Sequence, residues 1–88
     1  MNVLNIAVCD DEEVICRQIK ELIEKRMADS CIDVYDSGKK LLAAEKLYDM
    51  VFLDIQMDGI NGIETARALR EKQNDKTVII FITAMKEY

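Results

Sequence analysis

The sequence has no histidine and no proline, and its three cysteines, Cys9, Cys16 and Cys31, form an odd set without C-x-x-C spacing. With neither imidazoles nor paired thiols there is no tetrahedral zinc site. The cysteines read instead as reduced thiols of the core or of a helix face, in a cytoplasmic protein. No apolar run approaches the roughly 20 residues of a membrane span, and the N-terminus enters a strand without a signal-peptide pattern. Basic runs are also missing, and the net charge is −5. That balance argues against nucleic acid or an anionic membrane as a direct partner of this chain. There are no internal repeats, linkers or low-complexity tracts.

What is present is one small domain's worth of chain. The 88 residues are half hydrophobic and one-third charged, a globular composition, and can bury about 60 to 65% of the unfolded chain's surface. The stretch from Met50 to Glu64, MVFLDIQMDGINGIE, organises the rest. Its apolar run Val51-Phe52-Leu53 ends on Asp54, and a glycine-containing loop then leads to a helix start. A charge is costly to desolvate, so Asp54 is expected at a strand tip, facing the crevice where ligands of parallel α/β sheets bind.

Two periodicities alternate along the chain. Leu4–Cys9 reads as a strand buried on both faces, ending on Asp10-Asp11-Glu12-Glu13. A first helix follows to Met27, with Ile15, Ile19, Leu22 and Ile23 at helical spacing, acids in its first turn and Lys25-Arg26 in its last. Ile32–Tyr35 is a short second strand entered from Asp29-Ser30. Asp36-Ser37 can cap a second helix running to about Leu47, with Leu41 and Leu42 inward. The third strand is Met50–Leu53. Asn61-Gly-Ile-Glu64 has capping-box spacing for a third helix, Gly62 to about Lys72, with Ile63, Ala66 and Leu69 on one face. Thr77–Thr83 is the fourth strand, and Ala84-Met85-Lys86 opens another helix. This alternation predicts a doubly wound α/β domain with a parallel sheet in the order 2-1-3-4, helices on both faces. That order brings Asp10, Asp11 and Asp54 to one sheet edge.

Three converging carboxylates repel one another in a partly desolvated crevice, and a divalent cation relieves the repulsion. Oxygen-only ligands favour a hard ion such as Mg²⁺, which accepts substrate phosphate. One carboxylate could then act as a nucleophile toward phosphorus. Taken singly, Asp10 to Glu13 fits a dipole-complementing helical turn, Asp54 a cap and Thr83 an ordinary strand residue. The combination carries the chemistry. A haloacid-dehalogenase-type phosphohydrolase would need a second aspartate two residues after Asp54, where Gln56 stands and cannot shuttle a proton. A calcium loop of the EF-hand kind starting at Asp54 fails at its twelfth position, Thr65. A binding or self-associating module in which the acids transfer no phosphate stays open.

The segments VCDDE after the first strand, VFLDIQMDGINGIE around the third and FITA at the end of the fourth resemble the receiver domain of bacterial two-component response regulators, along the whole chain. Asp58, where many receivers have proline, is similar to the subgroup with LytTR-type DNA-binding output domains. The resemblance implies that Asp54 accepts a phosphoryl group from a sensor histidine kinase. It implies that Asp10, Asp11, Asp54 and the main-chain carbonyl of Gln56 hold Mg²⁺, and that Thr83 and the small Ala84 beside it bind the phosphoryl group and switch a transcriptional output. It makes the chain a cytoplasmic signalling switch rather than a turnover enzyme.

Receivers continue through a fourth helix, a fifth strand ending in a Lys-Pro pair and a fifth helix, whereas this sequence has no proline and ends at Tyr88. Residues 1–88 are therefore expected to be a C-terminally incomplete receiver without an output domain. Lys86 follows Thr83 too closely to stand for the missing lysine. With strand five absent, the uncharged fourth strand is expected to be an open edge through which the chain self-associates.

Overall fold

The computed structural model describes residues 3–57, 59–72 and 76–82. Seven elements alternate: β1 (Leu4–Cys9), α1 (Glu13–Arg26), β2 (Ser30–Tyr35), α2 (Gly38–Ala43), β3 (Met50–Asp54), α3 (Gly62–Lys72) and β4 (Val78–Ile82). All neighbouring strands are parallel, in the order β2-β1-β3-β4, which is the order the sequence predicts.

The period of two along the central strands divides the core between two faces. Ile6 and Val8 of β1 pack with Cys16 and Ile23 of α1 on one side. Ala7 and Cys9 pack with Val51 and Leu53 of β3 and with Leu41, Ala66 and Leu69 of α2 and α3 on the other. Each fully buried aliphatic side chain contributes about 1.5–3 kcal/mol, so these clusters hold the strand ends, and the acids on them, in fixed register.

Several element boundaries and faces differ from the sequence reading. In α1 the buried stripe runs through Cys16 and Ile23, while Leu22 is 56% exposed, because i, i+3 and i+7 from Cys16 face the sheet and Leu22 falls beside that stripe. α2 ends at Ala43 rather than near Leu47, since Ala44 is extended (φ −69°, ψ 128°). Tertiary bonds outweigh helix propensity here: Lys72 Nζ donates to the Leu42 and Ala44 carbonyls, and Lys46 Nζ and Tyr48 OH both donate to Asp33 Oδ2, at 2.9 and 2.7 Å. Asp36 forms an ion pair with Lys40 at 2.9 Å, leaving Ser37 to cap α2 by accepting from the Lys40 N–H.

In α3 the buried residues are Gly62, Thr65, Ala66 and Leu69, and Ile63 is exposed. Asn61 Oδ1 caps this helix by accepting from the Glu64 N–H at 2.9 Å. β2 begins two residues early at Ser30, whose hydroxyl donates to the Met27 carbonyl. Thr77 precedes β4 instead of opening it, and its hydroxyl donates to the Tyr48 carbonyl at 2.7 Å. Cys9 and Cys16 are buried thiols, whereas Cys31 is exposed on strand β2 rather than in the core or on a helix. Asp58, Thr83, Ala84, Met85 and Lys86 lie outside the described residues.

Candidate functional site

Parallel pairing of Cys9 with Leu53 places the residues that follow them, Asp10 and Asp54, side by side at the carboxyl ends of β1 and β3. The Asp10 N–H continues the ladder to the Tyr35 carbonyl at 3.1 Å. One carboxylate oxygen from each of Asp10, Asp11 and Asp54 lies within 4.8 Å of the others. Asp10 and Asp54 are 3% and 6% exposed, and the exposed Asp11 opens the cluster to solvent.

Local backbone bonds aim the two buried acids. Asp10 Oδ1 accepts from the Glu12 N–H at 2.9 Å, and Asp54 Oδ1 accepts from the Gln56 N–H at 3.1 Å. Each is the short i to i+2 bond that aspartate makes readily where a strand gives way to a loop. Beyond Asp54, Gly59 has φ +82°, a left-handed conformation that glycine adopts without steric cost. The chain then returns so that the Gly62 N–H donates to the Ile55 carbonyl at 2.9 Å, while the Ile55 N–H donates to the Ile82 carbonyl at 3.2 Å. The loop after Asp54 is thus tied to the end of β4 and to the start of α3.

Burial pushes the Asp10 carboxyl up to about 6; the Glu12 N–H pulls it down, and Asp54 and Asp11 push it up further. Desolvated carboxylates held this close together repel one another, and a bound cation would relieve that repulsion. The donor set fits a hard divalent ion. Its oxygens converge, and the neighbouring sulfurs offer no thiolate, because burial pushes Cys9 up to about 12 and Cys16 up to about 11. Cys9 Sγ instead contacts Met57 Sδ at 3.7 Å, and the Cys16 thiol donates to the Asp10 carbonyl at 3.3 Å.

Of the residues singled out from the sequence, Asp10, Asp11 and Asp54 come together, and Gln56 stands beside them through its bond to Asp54. Thr83 and Ala84 lie outside the described residues. Two further residues at the site, Cys16 and Gly62, are not evident as site residues from the hydrophobic pattern. Cys16 read only as a thiol of a helix face, and Gly62 only as a helix start. A glycine directly after a cap residue, where most side chains suit a helix better, was the available hint of a close approach.

Residues 6–88 match the family described as response regulator receiver domain. The sensory transduction protein LytT of Oceanobacillus iheyensis is 33% identical over 88 residues, 97% of this chain and 36% of LytT. The transcriptional regulatory protein ResD of Bacillus subtilis is 38% identical over 88 residues, 98% of this chain and 35% of ResD. The chain thus spans about a third of the length of these curated relatives. The response regulator TrrA of Thermotoga maritima, solved with Mg²⁺ and BeF, superposes with TM-score 0.85 at 36% identity, covering 96% of this chain and 72% of TrrA. TrrA in complex with the histidine kinase ThkA superposes at 0.81, covering 98% of this chain and 73% of TrrA. Among the described residues, no helix is long and apolar enough to cross a membrane.

Proposed function

Because the chain belongs to the response regulator receiver domain family, we propose that it takes a phosphoryl group from a sensor histidine kinase onto Asp54. The observation that carries this reading is the convergence of the Asp10, Asp11 and Asp54 carboxylates within 4.8 Å at the sheet edge. In the transfer an Asp54 carboxylate oxygen forms the bond to phosphorus as the bond to the kinase imidazole nitrogen breaks, and the imidazole leaves neutral. Asp54 is suited to this because its strand holds it rigidly and the Gln56 N–H fixes its carboxylate. Asp10 and Asp11, with the main-chain carbonyl of Gln56, would hold Mg²⁺ beside it. When bound, that ion offsets the repulsion among the acids and screens them from the incoming anion.

Thr83 and Ala84 are the switch positions in this reading, Thr83 donating its hydroxyl to the phosphoryl group. The whole protein would act in the cytoplasm, with a DNA-binding output segment of the LytTR type, consistent with the likeness to LytT. Its role is that of a signalling switch, and the kinase supplies most of the chemistry.

The test is phosphorylation by acetyl phosphate with Mg²⁺, followed by intact mass. The expected result is one added phosphoryl group, lost in Asp54→Asn and on chelation of the metal. Equal labelling of Asp54→Asn would overturn the assignment.

A further inference from the structure

We propose that Cys16 is a positioning residue for the cation site: its thiol, from helix α1, fixes the main chain of Asp10 and through it the Asp10 carboxylate. The inference rests on the metal reading above. β1 pairing with both neighbours ends at Cys9, so the Asp10 carbonyl has left the ladder in a buried place, where a polar group needs a partner. The partner is Cys16 Sγ, at 3.3 Å. Cys16 is itself 3% exposed and packed against Ile6, Val8 and Ile23, which confines its thiol beside that carbonyl.

Three bonds close a ring. The Glu12 N–H donates to Asp10 Oδ1 at 2.9 Å, the Cys16 N–H donates to the Glu12 carbonyl at 3.2 Å, and the Cys16 thiol returns to the Asp10 carbonyl. The same aspartate is therefore held at its side chain by the entry to α1 and at its carbonyl by the body of α1. Its N–H is held from β2 by Tyr35. Asp10 is thereby locked to the sheet and to the helix at once. Mg²⁺ demands near-ideal ligand geometry, so a small drift of one carboxylate lowers affinity. Outer contacts of this kind set ligand orientation in metal sites generally.

Isothermal titration of the 88-residue chain with Mg²⁺ tests this. Cys16→Val removes the donor and keeps an apolar, somewhat larger side chain, Cys16→Ser keeps a donor, and Ile23→Ala perturbs the same apolar face without touching Asp10. Cys16→Val is expected to weaken Mg²⁺ binding about five- to ten-fold, the lower range for such contacts because a thiol is a weak donor. Cys16→Ser and Ile23→Ala should stay within about two-fold of the parent, whatever their melting temperatures. Parent-like affinity in Cys16→Val overturns the inference, and so does equal weakening by Ile23→Ala. Should Cys16→Val not fold, Cys16→Ala takes its place with the same expectation. A parent that binds no Mg²⁺ overturns the metal reading and this inference with it. A parent that binds while Cys16→Val is unaffected removes only the inference.

Discussion

Gly62 approaches the tip of β3 so closely that a Cβ on it would lie 2.1 Å from the main-chain carbonyl oxygen of Asp54 and 2.8 Å from Ile55 Cα. Both obstacles are backbone, so no side-chain rotation relieves the clash. The first turn of α3 is thereby seated on the peptide of the proposed phosphoacceptor. A shift of that helix moves Asp54.

Gly62→Ala is therefore expected to destabilise the fold, although alanine is the better helix former by about 1 kcal/mol. Overpacking a close contact typically costs about 1–3 kcal/mol, and here the clash is with rigid backbone, which places the net loss at about 2 kcal/mol. Urea denaturation should show a lower midpoint for Gly62→Ala than for the parent. A raised midpoint would mean that propensity wins and the contact is looser than it looks.

How legible this arrangement was in the sequence depended on the kind of signal. The alternation of strand and helix periods made the parallel sheet legible, and the doubly wound order 2-1-3-4 then brought Asp10 beside Asp54. The end of α2 was not legible. Leu47 continues the helical pattern, yet Lys46 and Tyr48 are drawn to Asp33 on β2, 13 and 15 residues away. Neither was the thiol of Cys16 against Asp10 nor the proximity of Gly62 to Asp54. Each is a contact made by tertiary packing, and neither alters the hydrophobic pattern. Ile63 was misplaced for the same reason: the helix turns its glycine side toward β3, and that rotates Ile63 outward.

The electrostatics of Asp10 predict an unusual pH profile for the metal-free protein. Its carboxyl, ordinarily near 3.8, is pushed up to about 6 by burial and by Asp54 and Asp11. Between these values the folded state holds a proton that the unfolded chain has released, so stability falls as pH rises through the window and is level above it. Asp10→Asn keeps an oxygen for the Glu12 N–H and removes the charge. Without metal it should therefore melt higher than the parent at pH 7.5 and near the parent at pH 4. Mg²⁺ should raise the parent's melting temperature by mass action and leave that of Asp10→Asn nearly unchanged. A lower melting temperature for metal-free Asp10→Asn at pH 7.5 would contradict the picture of crowded, uncompensated acids.

The two outer strands of the sheet meet solvent differently, and the difference predicts how the chain behaves at concentration. On β2, Asp33 carries charge and is tied to Lys46 and Tyr48, devices that blunt an edge. β4 reads VIIFI, without a charge, and among the described residues it pairs only with β3. Val78, Ile80 and Phe81 are 51%, 36% and 42% exposed. Beside it an apolar groove of about 620 Å³ runs between β4 and α1, lined by Ile19, Leu22, Phe52 and Ile80 among others. An uncharged edge next to an apolar groove favours association. A two-fold axis normal to the sheet pairs β4 with its copy antiparallel, joins the two sheets and sets the grooves side by side on one face, so that a single closed dimer forms in place of a fibre. The 88-residue chain is therefore expected to sediment as a concentration-dependent dimer in the micromolar range. Ile80→Lys puts a charge at mid-strand in the groove and should return it to monomer, whereas Val34→Lys, on the exposed face of β2, should leave the dimer intact. Loss of association in Val34→Lys with its retention in Ile80→Lys would move the interface to the opposite edge. A monomer at every concentration would mean that β4 is covered from elsewhere in the polypeptide.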